Sequence, residues 1–313
     1  MPLRIHTLLA VDERQLVGCA VSMRSIMDHV SPEAEVQFHV MTHSVSRADG
    51  AALVRTVTDT HGAHAIELYP IDAGQFSHLL RSKLVSHTTY ARLLLGTVLP
   101  PEVRRCVYVD CDVIVTVDLA ELWQFSLGHR STAAVPNGDP DDARSHQLRL
   151  GLTEPRYLNA GLMLIDVDRW RSRCVGERAL EHASRAGDRL ILHDQDALNC
   201  ALENDWVSLP RRWNASVAMS DWLTTDSEAV FHFMGAPKPW HADYSGPFGE
   251  LFFRYADRTA FAGRRPWNPL GLGALFSRIR RSAPYLPTVL RLLWTGARHG
   301  RHRSHNQRHW RSD

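Results

Sequence analysis

LRIHTLLAV (residues 3–11), LVGCAVSMRSIMDHV (16–30) and EVQFHVM (35–41) follow one another near the N-terminus. The first is an unbroken apolar run bounded by charged residues, the pattern of a buried strand. The second carries small and apolar residues at helical spacing and stops at Ser31-Pro32. The third alternates apolar with polar, as a strand with one wet face does. A helix over residues 46–60, then Gly62 and a strand over 64–69, continue the series. Strand–helix–strand–helix–strand order predicts an α/β fold with a largely parallel sheet.

Further along, residues 86–95 read as helix and Pro100-Pro101 breaks the chain. A short β-branched strand over 105–109 (RCVYV) runs into Asp110-Cys111-Asp112, and 113–117 continues extended. Asp118 caps a short helix that reaches Trp123. Strands are expected at 133–135 and 162–165, and helices at 176–186 and 195–204. RRPWNP (264–269) interrupts the pattern, so a catalytic domain over 1–263 and an extension over 264–313 are expected.

The composition is that of a packed globular protein: 313 residues, 44% hydrophobic and 22% charged. Five cysteines, an odd count with no CxxC pair, speak against a zinc cluster or disulfide framework, and most of them read as reduced core thiols. The N-terminus lacks the basic and long apolar regions of a secretory signal, and no run of 18 apolar residues occurs. A cytoplasmic protein is expected. The net charge of +2 hides an asymmetry, because nine arginines and one aspartate crowd the chain from Arg278 to Asp313. The body is therefore acidic. Only two lysines, Lys83 and Lys238, stand against 34 arginines.

Four stretches carry chemistry. In VYVDCDVIV (107–115), two carboxylates two residues apart follow an apolar strand. In extended geometry such side chains point the same way, and burying both unpaired is costly. A hard divalent cation removes that cost, and ligands of open parallel sheets sit beyond the carboxyl ends of strands. FHFMGAPKPWH (231–241) supplies His232, a ligand suited to manganese, Gly235 for close backbone approach, and Lys238 as a point charge for a diphosphate. HDQDALN (193–199) places Asp194 and Asp196 around Gln195 at a helix start. Capping explains one acid, and a second suits an oxocarbenium-like transition state. In YLNAGLMLI (157–165), Asn159-Ala160-Gly161 reads as a small-residue turn before a strand, where Asn159 can meet sugar hydroxyls.

Together these four motifs, in this order with TTYARL (88–93) ahead of them, resemble glycosyltransferase family 8, the retaining enzymes that include glycogenin and bacterial lipopolysaccharide galactosyltransferases. The resemblance runs from about Leu3 to about Tyr255. It implies a GT-A fold, a Rossmann-like mostly parallel sheet flanked by helices, holding a UDP-sugar with Mn2+ or Mg2+. By position it implies Asp110, Asp112 and His232 as metal ligands, and Gly235 and Lys238 as diphosphate contacts. Arg92, Asn137, Asn159, Ala160, Gly161, Asp194, Gln195 and Asp196 fall to the donor sugar, with Gln195, Asp194 and Arg92 as the catalytic group. Ala10 and Asp12 fall to the uridine. Members often place an aromatic three positions after the residue matching Asp12. Here that position is Gln15, and the neighbouring Arg14 can stack by its guanidinium plane.

The implied activity is transfer of a hexose, glucose or galactose, to a lipid-linked or cell-envelope acceptor. A self-glycosylating protein or a silent nucleotide-sugar binder are the alternatives. In the extension, Leu286, Val289, Leu290, Leu293, Trp294 and Ala297 form one apolar stripe amid arginines. Such helices either pack on the catalytic domain or lie on an anionic membrane surface, which would place the protein peripherally on the inner face. No nucleic-acid motif accompanies the basic end.

Overall fold

The computed structural model describes residues 2–60, 62–79, 87–186 and 189–265. The amphipathic stripes and basic end expected beyond residue 265, and Lys83, lie outside them. One compact unit holds Met1–Trp240 and Gly246–Arg265; His241–Ser245 belong to a second one.

The chain opens with β1 (Leu3–Asp12), α1 (Leu16–His29), β2 (Ala34–His43), α2 (Arg47–Thr58) and β3 (Ala65–Pro70). Ser46 caps α2 by accepting from the Asp49 amide. The middle contains α3 (Leu95–Val98), β4 (Arg105–Val109), β5 (Val113–Val115), α4 (Leu119–Trp123), β6 (Thr132–Pro136), α5 (Pro140–Leu150) and β7 (Leu158–Asp166). Then come α6 (Val167–Ser172), α7 (Val175–Ala186), α8 (His193–Ala201), β8 (Trp206–Ser208), β9 (Ala215–Ser216), β10 (Val230–His232) and α9 (Gly249–Ala256).

Seven strands form one sheet in the order β3-β2-β1-β4-β7-β6-β8. Only β7 runs against its neighbours, antiparallel to β4 and β6, while the other pairs are parallel. Side chains alternate between two cores. Ile5, Leu9, Val107, Val109, Leu162 and Leu164 pack on the face covered by α1 and α2. Leu8, Cys106, Tyr108, Met163 and Ile165 pack on the opposite face, covered by α7 and α8. Each aliphatic or methionine side chain among them, fully buried, contributes about 1.5–3 kcal/mol. A small second sheet, β5-β10-β9, sets β10 antiparallel to β5 and parallel to β9.

Three local expectations change. The helix expected over 86–95 is a 3-10 helix over 87–94 that runs on into α3. Side chains three apart eclipse in that tighter turn, which lets Thr89 and Arg92 both reach Asp194. Asn159-Ala160-Gly161 is not a turn before the strand but lies inside β7. The helix expected at 195–204 begins at His193 and ends at Ala201. The described residues hold no helix long and apolar enough to cross a membrane.

Candidate active site

β1 and β4 run parallel and end side by side, β1 at Asp12 and β4 at Val109. Asp110, Cys111 and Asp112 form the turn from β4 into β5, so the two carboxylates converge through a turn and not through extended chain. The turn is clamped from three sides. Asp110 N–H donates to Gly161 O of β7 (2.9 Å), and Phe233 N–H donates to Asp112 O (2.9 Å). Ser22 of α1 donates its hydroxyl to Val113 O at 2.9 Å. Beneath, the Cys111 thiol donates to Ala10 O at 3.2 Å, and both residues are buried. Gly18 faces Cys111 across α1 so closely that any Cβ would overlap the turn's backbone.

The small sheet brings in the third group. β10 pairs His232 with Val113, which sets His232 Nε2 3.2 Å from Asp112 Oδ1 and 3.9 Å from Asp110 Oδ2. One ligand atom each from Asp110, Asp112 and His232 lie within 4.8 Å of one another. Two carboxylates and an imidazole suit a divalent ion of borderline softness. Gly235, at φ 75°, turns the chain after β10 where a side chain would be strained. Lys238 then returns its ammonium to Asp112 and donates to Phe233 O at 2.7 Å.

Arg92, 7% exposed, links the acids. It bonds Asp110 at 2.8 Å, Asp194 at 2.9 Å and Ala160 O at 2.9 Å, and lies over the Tyr108 ring. Tyr108 donates to Asp110 at 2.9 Å and Thr89 to Asp194 at 2.6 Å. Burial pulls the Arg92 guanidinium down, but Asp110 and Asp194 outweigh it and raise it. The two turn carboxylates split. Burial pushes Asp110 up, with the Asp112 charge adding to it against Arg92. Burial acts on Asp112 too, yet Lys238 and His232 hold it well below the usual carboxylate range.

Gln195 Oε1 accepts from Ala160 N–H at 2.9 Å, so the backbone of Ala160 holds both Gln195 and Arg92. Asn159 is a hub: its Oδ1 accepts from Gly161 N–H (2.9 Å) and Asn214 (2.7 Å), and its amide donates to Asn137 at 2.8 Å. Gly161 is small because a Cβ would stand 2.7 Å from His232 Nδ1. Asp12 turns back on the start of α1, accepting from Arg14 N–H at 3.0 Å, with the Arg14 guanidinium 3.7 Å away.

Asp196 departs from its expected role as a donor contact. It is fully buried, and its carboxylate takes both Arg149 nitrogens (2.8 Å), Tyr157 Oη (2.5 Å) and the amides of Ile191 (2.7 Å) and Leu192 (2.8 Å). No lone pair is left for a sugar, and Asp196 anchors the loop into α8 instead. Sequence reasoning passed over Tyr108, Thr89, Ser22 and Asn214. Tyr108 had a signal, standing two residues before Asp110 on the same side of β4.

A parallel-led sheet with an acidic turn at its carboxyl edge, joined by a histidine from a second small sheet and a lysine from the loop that follows it, defines the GT-A class of sugar transferases. The structure of the galactosyltransferase LgtC, in complex with donor and acceptor sugar analogs, superposes with a TM-score of 0.71 at 26% identity, covering 82% of this chain and 96% of that one. The profile of Glycosyl transferase family 8 matches residues 6–244, and the chain belongs to that family. Among its relatives, General stress protein A of Bacillus subtilis is 29% identical, over 87% of this chain and 97% of that protein. Lipopolysaccharide 1,3-galactosyltransferase of Salmonella typhimurium is 26% identical, over 83% and 80%.

Proposed function

We propose that this protein is a retaining, metal-dependent hexosyltransferase that moves glucose or galactose from a UDP-sugar to a cell-envelope acceptor. The observation that carries the reading is the convergence of Asp110, Asp112 and His232 beside Lys238. Family membership and relatives named for lipopolysaccharide transfer support the sugar and the envelope acceptor.

Asp110, Asp112 and His232 would hold the divalent ion, and the imidazole favours Mn2+ over Mg2+. When bound, such an ion supplies Lewis-acid stabilisation of a diphosphate leaving group. Lys238 adds a second positive charge on the same side, and Gly235 leaves its loop free to approach phosphate. Ala10, Asp12 and Arg14 line the end of β1 where the nucleoside would lie. Arg92 and Asp194 fix the acid side of the cleft, and Asn137, Asn159 and Gly161 border the donor sugar.

Gln195 is an amide whose oxygen already accepts from Ala160 N–H, so it is a weak nucleophile. That supports a front-face displacement, in which the departing diphosphate oxygen takes the acceptor's proton while the acceptor attacks from the same side. Gln195→Ala should then retain measurable transfer, and a hexose trapped covalently on Gln195 would refute the mechanism.

The testing experiment is release of nucleoside diphosphate from a panel of UDP-, GDP- and dTDP-sugars with Mn2+, beside Asp112→Ala. Slow Mn2+-dependent hydrolysis of a UDP-hexose, lost in the variant, is expected. Hydrolysis of a GDP- or dTDP-sugar instead would overturn the uridine assignment, and hydrolysis that persists in Asp112→Ala would overturn the site.

A further inference from the structure

His232 can serve a cation only if one ring nitrogen is free of a proton and aimed at the acids. Which nitrogen carries the proton is set by what the other one touches. Here that choice can be traced to the main chain. Gly161 N–H is a donor and nothing else, so the Asn159 atom it meets at 2.9 Å must be the oxygen. The same oxygen lies 2.7 Å from Asn214, so that Asn214 atom must be its amide nitrogen. The remaining Asn214 atom is therefore oxygen, and it faces His232 Nδ1 at 2.7 Å. Asn137 Oδ1 closes the far end by accepting from Asn159 at 2.8 Å.

We infer that Asn214, aligned by Asn159 and Gly161 N–H, keeps the His232 proton on Nδ1 and so reserves Nε2 as the lone pair offered beside Asp110 and Asp112. Asn159, Asn214 and His232 are each at most 5% exposed. Within the buried chain, reversing either amide would oppose two donors or two acceptors. Asn214 is thus a positioning residue that acts through His232. Its own amide is consumed by the chain, and it needs no contact with the substrate. The inference rests on the metal-dependent reading of the site.

The test reads metal affinity and not turnover: free Mn2+ is followed by electron paramagnetic resonance as it is titrated into the protein, alone and with UDP. Asn214→Leu removes the acceptor and is expected to weaken Mn2+ binding about 10–100-fold, the range found when a partner of a ligating histidine is lost. In a His232→Gln background the same change should add less than about twofold, because the residue it acts through is gone. Asn214→Ala, which admits water in place of the amide, should shift affinity the same way by a smaller factor, and it decides the matter if the leucine variant does not fold. Unchanged Mn2+ affinity in the Asn214 variants, or losses that simply multiply in the double variant, would overturn the inference while leaving the metal site standing. A wild-type protein that binds no Mn2+ would overturn both.

Discussion

Asp110–Asp112 and Asp196 are buried or half-buried acids in one molecule, and they end differently. Asp196 is wrapped: a two-pronged arginine, a tyrosine hydroxyl and two main-chain amides converge on it. Around the turn, Asp110 Oδ1 takes Arg92 and Tyr108, but its Oδ2 faces His232 Nε2 at 3.9 Å. Asp112 Oδ1 faces that same nitrogen at 3.2 Å. A carboxylate whose lone pairs are all used holds the fold together, whereas carboxylates that converge on one another and on an imidazole nitrogen can seat a cation. The HDQD stretch contributes one acid to each cluster. Asp194 is tied to Asp110 through Arg92 and accepts from Thr89, and Asp196 joins the closed cluster.

The contrast can be broken by single substitutions. The largest effect is expected from Asp112→Ala: nucleoside diphosphate release should fall by about a thousandfold, matching the several kcal/mol a metal supplies. Asp196→Asn should do the reverse, costing about 3 kcal/mol in denaturant unfolding as a broken buried pair does, with Mn2+ affinity unchanged. If Asp196→Asn weakens Mn2+ binding as well, the two clusters are not distinct.

The Asp196 difference also has a pH signature. Burial alone would raise its pKa, but Arg149 and Tyr157 reverse this and hold it below the usual value. A depressed folded-state pKa stabilises fully above the unfolded value of about 3.9 and is lost as pH falls through the folded one. The stability gap between wild type and Asp196→Asn should therefore be constant near neutrality and shrink below about pH 4, as measured by denaturation at stepped pH. The smallest effect is expected from Gly161→Ala. Its Cβ would press on the His232 ring, costing roughly 1–3 kcal/mol of overpacking and weakening Mn2+ binding by displacing Nε2.

The first half of the sheet was legible because β1, α1, β2, α2 and β3 announce themselves by hydrophobic period and by Ser46 and Pro32 as boundaries. The helix α5 was not, since none of its residues is buried and it has no apolar stripe. Its signal was chemical instead: Asp139 and Asp142 form a capping box around Pro140, and Gly151 ends the helix at φ 76°. At the site, Asp110, Asp112, His232 and Lys238 were readable because their chemistry is concentrated in two short stretches. Asn214 was not, since its meaning depends on two amides and a backbone N–H that only the fold brings together. Asp196 misled because an acid at a helix start looks the same in sequence whether solvent, sugar or an arginine 47 positions away receives it.

Ala160 holds Gln195 with its N–H and Arg92 with its carbonyl, and neither contact involves the side chain of Ala160 itself. A scan that replaces residues one by one with alanine cannot register this position, since alanine already stands there. Any substitution small enough to fit the 1% exposed slot keeps both contacts intact. Two members of the proposed catalytic group are thus hung from a part of the chain that point mutation can barely reach. Replacing the amide of residue 160 by an ester, which deletes the N–H and weakens the preceding carbonyl, is the kind of chemical change that would expose it.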